Sequence, residues 1–126
     1  MVHRINLRNP WQRKNPDQTL PLPLPSNALL PSSDSILKIT RRFHRPSGLT
    51  ATHQVELVLE GLFPTASLQL NGQPLQMANG PEKTFRGDIT ANLESFNQLT
   101  VCWTGFDQIV DCQLEDVYLE ISESAG

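Results

Sequence analysis

Apolar residues recur at every second position through most of the chain, and nowhere does a 3.6-residue period persist for three turns, so the elements predicted are strands. Residues 36–45, ILKITRRFHR, put Leu37, Ile39 and Phe43 on one side and Lys38, Thr40, Arg42 and His44 on the other, the pattern of a half-buried strand. Residues 53–60 alternate Val55, Leu57 and Leu59 and stop at Gly61. Residues 66–70 alternate Ala66, Leu68 and Leu70 ahead of Asn71-Gly72, a dipeptide that favours a tight hairpin because both positions tolerate positive φ. Further strands follow at 83–89 (Phe85 and Ile89 inward), 98–104 (Leu99, Val101 and Trp103) and 114–122 (Val117, Leu119 and Ile121), with a first strand at 2–7. The single helix-like piece is 89–94, where Thr90 stands ready to cap one turn and Asp88 to accept its backbone N–H groups. Seven short strands divided by Gly, Pro and Asn predict an all-β fold, a sandwich or jelly roll rather than a βαβ sheet.

Residues 15–34 break the alternation with Pro16, Pro21, Pro23, Pro25 and Pro31, a composition that favours polyproline II. Such a run could be a ligand for an SH3-like groove, but it has no supporting flank here. It reads more simply as an extended crossover that lays Leu20, Leu22 and Leu24 on the domain. Residues 1–35 are therefore an N-terminal strand and Pro-rich crossover packed on the domain, and 36–126 the β-sandwich core. At 126 residues the chain makes one domain, burying roughly two-thirds of its unfolded surface without staples.

With 38% apolar and 18% charged residues the sequence is too apolar for disorder and too interrupted for a membrane span. Residues 1–14 contain no apolar signal core, so the chain is expected to be cytoplasmic. Cys102 and Cys112, ten apart, are too few for a zinc site and by default reduced thiols, with a bridge across a hairpin as the alternative that sequence alone does not decide. The net charge of −3 hides an asymmetry: residues 1–46 carry eight Lys and Arg against two acids, and 47–126 carry two against eleven. The simplest reading is cross-strand pairing of early basic strands with late acidic ones. A pI near 5.5 and the lack of a basic-aromatic stripe exclude a nucleic-acid partner.

From Ile39 onward the signals fall in a recognisable order: ITRRFHRP, VELVLEGL, ASLQLNGQPL, FRGDIT, then NQLTV. This order, with the triplets Leu70-Asn71-Gly72 and Asp88-Ile89-Thr90, resembles the sugar-binding domain of family 2 glycoside hydrolases, a galactose-binding-like jelly roll. The resemblance covers about Ile39 to Trp103. It implies a jelly-roll β-sandwich without catalytic residues, because in that family a separate barrel supplies the carboxylate pair. In some members the loop with the Asn-Gly turn lies near the barrel's sugar pocket.

Glycosidase chemistry needs two carboxylates flanking a cleft, and nothing in the sequence selects such a pair. Asp107 and Asp111, or Glu115 and Asp116, read as solvated loop or strand-edge charges. His3, His44 and His53 have no metal-ligand spacing, so neither metal nor cofactor is expected. If successive strands alternate in direction, those at 36–45, 66–71 and 98–104 run the same way and their following loops share one end. That end would gather Asn71, Asn79, His53, Phe106 and Asp107 as a candidate ligand face, with Phe106 as the platform for a sugar ring. The expected function is a non-catalytic module that binds a carbohydrate or small polar ligand weakly. The alternative is a protein interaction or self-assembly domain.

Overall fold

A computed structural model describes residues 2–13, 18–20, 22, 36–61, 66–75, 78–79, 84–104 and 114–123. Eleven strands lie among them: β1 (Val2–Asn6), β2 (Trp11–Arg13), β3 (Gln18–Leu20), β4 (Ile36–His44), β5 (His53–Glu60), β6 (Ser67–Leu70), β7 (Gln73–Pro74), β8 (Ala78–Asn79), β9 (Phe85–Asp88), β10 (Phe96–Thr104) and β11 (Asp116–Glu123). They form two antiparallel sheets, a six-stranded one ordered β3-β2-β4-β10-β6-β7 and a five-stranded one ordered β1-β11-β5-β9-β8. The protein is an all-β sandwich.

Alternation decides which side chains meet between the sheets. From the six-stranded sheet come Trp11, Leu37, Ile39, Phe43, Leu68, Leu70, Leu99, Val101 and Trp103, and from the other Val55, Leu57, Leu59, Phe85, Val117, Leu119 and Ile121, all buried in one core. Trp103 thus packs inward with Leu99 and Val101, as the period of its strand predicts. Leu22, from the Pro-rich stretch, is buried in the same core, and its N–H donates to the Arg8 carbonyl at 3.2 Å. The rest of 21–35, including Leu24, lies outside the described residues. Arg41 takes an inward position on β4 opposite Leu99, with its Nε buried and without a hydrogen-bond partner, and this burial lowers the guanidinium pKa from its ordinary value.

Strands β2, β3, β7 and β8 are absent from the seven that alternation predicts. They are two or three residues long, too short for a period to register. Within the stretch expected to be polyproline II, residues 18–20 form β3, hydrogen-bonded along β2. The helix-like piece is one 3-10 turn, Thr90–Asn92, and Thr90 is its first residue rather than its cap. Asp88 Oδ1 accepts the Thr90 N–H at 2.8 Å as expected, while the Thr90 hydroxyl accepts the Val55 N–H at 2.8 Å and ties the turn to β5.

The outer face of the five-stranded sheet carries the charge pairing foreseen for early basic and late acidic strands. Arg4 meets Glu120 at 3.5 Å and lies over the Tyr118 ring, and Arg8 meets Asp116 at 3.1 Å. Arg86 joins Glu120 at 3.2 Å and Glu56 at 3.9 Å, and Tyr118 Oη donates to Glu60 at 2.8 Å. Hydrogen bonding to Glu120 raises the Arg86 pKa, and burial followed by the Glu60 hydrogen bond raises that of Tyr118. Val58, level with both Tyr118 and Arg86, is buried on this outer side.

Candidate functional site

The end of the six-stranded sheet holds a groove of about 540 Å3, within the size range of small-ligand sites, lined by Arg42, Phe43, His44, Asn71, Phe96, Asn97 and Gln98. Register builds it. Phe96 opens β10 opposite His44, the last residue of β4, and Gln98 stands opposite Arg42. Because side chains two apart share a face, Phe96, Gln98, Arg42 and His44 all project from the outer side of the sheet. Phe96 is 72% exposed, and its ring centroid lies 4.7 Å from that of His44 at a tilt of 57°.

The groove floor is a lattice of amides. Asn97, 3% exposed, accepts the Glu94 N–H at 2.8 Å and the Asn71 side-chain amide at 3.1 Å through Oδ1, and donates to the Glu94 carbonyl at 2.9 Å. Asn71 sits at φ 55° and Gly72 at φ 82°, the two positive values of a two-residue hairpin that joins Leu70 to Gln73. Asn71 Oδ1 accepts the Gln98 N–H at 2.8 Å, and the Asn71 N–H donates to the Gln98 carbonyl at 2.9 Å. Both ends of its side-chain amide are therefore engaged, so Asn71 shapes the wall and presents no free amide to a ligand. The rim differs: Arg42 Nε reaches Gln98 Oε1 at 3.4 Å, a long contact that leaves both side chains able to meet a guest.

Of the residues expected to converge, His53 and Asn79 stand apart along the backbone. His53 opens β5 in the other sheet, where Nδ1 accepts the Thr50 N–H at 2.9 Å and closes the loop after β4. The Asn79 backbone pairs with Phe85, which is level with Leu59, so it lies about 20 Å along β5 from His53. Phe106 and Asp107 lie outside the described residues. The shared direction of the three strands is also overturned, since β10 runs antiparallel to both β4 and β6. Thr104, where β10 ends, stands opposite Ile36, about 26 Å from the Phe96 end. Alternation of direction counts reversals correctly only when every connection is a hairpin, and this chain changes sheet repeatedly, between β6 and β10 both at β7–β8 and at β9–β10.

Phe96 and His44 were legible in part. Extending the alternation of β10 back two residues from Gln98 makes Phe96 an outward aromatic on a half-buried strand. Among the described residues the groove lining holds no carboxylate. Among the described residues no three His, Cys, Asp or Glu side chains cluster as metal ligands, and no helix is long and apolar enough to cross a membrane. What the rim offers is an aromatic ring beside hydrogen-bonding groups, a combination suited to a ring with one apolar face and polar substituents.

No protein-family model matches the chain, and no curated protein matches it in sequence. Solved structures do match in fold. The FMN-binding beta-glucuronidase from Facaelibacterium prausnitzii L2-6 superposes with a TM-score of 0.75 at 21% identity, over 98% of this chain and 23% of that one. A Bacteroides fragilis chain assigned as a beta-galactosidase gives 0.70 at 14% identity over 97% and 23%, and a beta-glycosidase from Bacteroides vulgatus gives 0.67 at 16% over 96% and 20%. The chain thus spans less than a quarter of the length of each neighbour.

Proposed function

We propose that the chain is a non-catalytic carbohydrate-binding module of the galactose-binding-like jelly-roll type, and that it holds its ligand weakly in the groove between Phe96 and Gln98. The observation that carries this reading is the exposed Phe96 ring set beside Arg42 and Gln98 at the mouth of a ligand-sized groove. A sugar lays its C–H face on an aromatic ring while its hydroxyls exchange hydrogen bonds with amides and guanidinium groups. The described lining offers an aromatic ring, amides and a guanidinium and no carboxylate, a set that supports binding over hydrolysis, since glycoside cleavage uses a carboxylate pair. Fold neighbours named as glycosidases, each more than four times as long, support a module that accompanies carbohydrate chemistry performed elsewhere.

A ligand-observed NMR screen of neutral monosaccharides and disaccharides tests the reading. At least one sugar should give saturation transfer with the wild type that is lost in Phe96→Ala and reduced in His44→Ala, both surface changes that leave the fold intact. If every hit persists in folded Phe96→Ala, the groove is not the site. The same exposed ring favours a second reading, a face that seats on a protein surface or a second copy of the chain. A concentration series by sedimentation discriminates, because only that reading gives self-association without ligand that Phe96→Ala abolishes.

A further inference from the structure

Charge is distributed differently on the two sheets. On the five-stranded sheet the cations Arg4, Arg8 and Arg86 each have a carboxylate within 4 Å. Arg42, in the groove, has the neutral Gln98 Oε1 instead, and no described carboxylate lies within ion-pair distance of it. Glu94, two residues before Phe96, braces Asn97 through its backbone and is not part of the groove lining. Lys38, on the same outward row of β4, likewise faces outward without an ion pair among the described residues. The groove therefore presents a guanidinium whose charge no described carboxylate neutralises.

That cation stands at a fixed distance from the aromatic platform. Arg42 is two residues before His44 on β4, and Gln98 two residues after Phe96 on β10, so the guanidinium row and the ring row are separated by about 7 Å along the strands. This spacing suits one hexose ring and its exocyclic group. A neutral sugar would offer Arg42 only hydroxyls and leave its charge unpaired, and a simple anion would leave Phe96 uncovered. Only a ring with an apolar face and an attached carboxylate uses both. Planar carboxylate is the group a guanidinium fork fits best, through two parallel N–H···O bonds. Building on the carbohydrate reading above, we propose that the preferred ligand of this groove is a uronic acid, its ring face on Phe96 and its carboxylate on Arg42.

The experiment is a titration of isotope-labelled protein followed by amide chemical shifts, with glucuronate and galacturonate as probes, glucose and galactose as their neutral counterparts, and acetate as the bare anion. A uronate should bind about tenfold more tightly than its neutral counterpart, the difference one charge-assisted hydrogen-bond pair makes. That preference should weaken with added salt, because the pair is exposed. Arg42→Gln should remove both the preference and the salt effect while weakening the neutral sugar far less than the uronate, since a hydroxyl loses only a neutral-acceptor bond to the guanidinium, and Phe96→Ala should weaken both sugars alike. Equal affinity for acidic and neutral sugars, a preference that survives in Arg42→Gln, or acetate binding as tight as uronate would overturn the uronate assignment and leave the module reading standing. If no sugar of either kind binds the wild type, the module reading itself falls.

Discussion

A single buried amide holds the groove open. Asn97 satisfies the Glu94 N–H and C=O together with the Asn71 side chain, and it reaches the Phe43 carbonyl at 3.5 Å, so its donors and acceptors are all committed. Asn97→Ala strands these partners around a small void. It should cost about 2–3 kcal/mol and lower the melting temperature by roughly 10 °C, and a thermal melt checks it. A shift of only a degree or two would mean that solvent reaches those groups and that the amide lattice is dispensable. Asn71 was legible as the turn former of Asn71-Gly72, and Asp88 as the acceptor for the Thr90 N–H, because each acts within two residues of itself. The role of Asn97 was not, since its partners come from three separate stretches of chain.

At the scale of elements, two glycines show how a turn and a packing contact differ. Gly61 follows β5 at φ 72°, and a Cβ there would fall 2.8 Å from the Cβ of Glu115, whose N–H donates to the Glu60 carbonyl at 2.9 Å. Gly72 has a similar φ of 82°, with nothing within 4 Å of the same added atom. Both alanine variants carry the strain of the left-handed region, about 1–2 kcal/mol, but only Gly61→Ala must also displace the approach to β11. Gly61→Ala should therefore cost about 2–4 kcal/mol and Gly72→Ala about half as much, measured by urea unfolding of the two side by side. Equal losses would show that backbone strain alone accounts for both. The long strands were readable from alternation to within two residues at each end, while β2, β3, β7 and β8 exist because longer neighbours hydrogen-bond them in place.

For the molecule as a whole, the network on the five-stranded sheet sets a dependence on alkaline pH. The Tyr118 phenol is raised above the ordinary tyrosine value of 10 by burial and by its hydrogen bond to Glu60. A group whose folded pKa is raised contributes stability that is fully present below its unfolded value and is lost as pH rises through the folded one. The stability advantage of wild type over Tyr118→Phe should thus be constant around neutral pH and shrink from about pH 10 upward, as thermal melts of both proteins across that range would reveal. An advantage unchanged through alkaline pH would place the phenol outside the network. The same whole-molecule view divides what the chain alone determined from what required its folding. Periodicity and turn chemistry determined the all-β class, the inward faces, Trp103 in the core and the Asn-Gly hairpin, since side-chain alternation and positive φ are properties of the local backbone. Strand order and direction are not local. Bringing Phe96 beside His44, and Gln98 beside Arg42, depended on β10 lying antiparallel to β4 across more than fifty residues of sequence, a register set by the burial of two facing sheets and marked by no period along the chain.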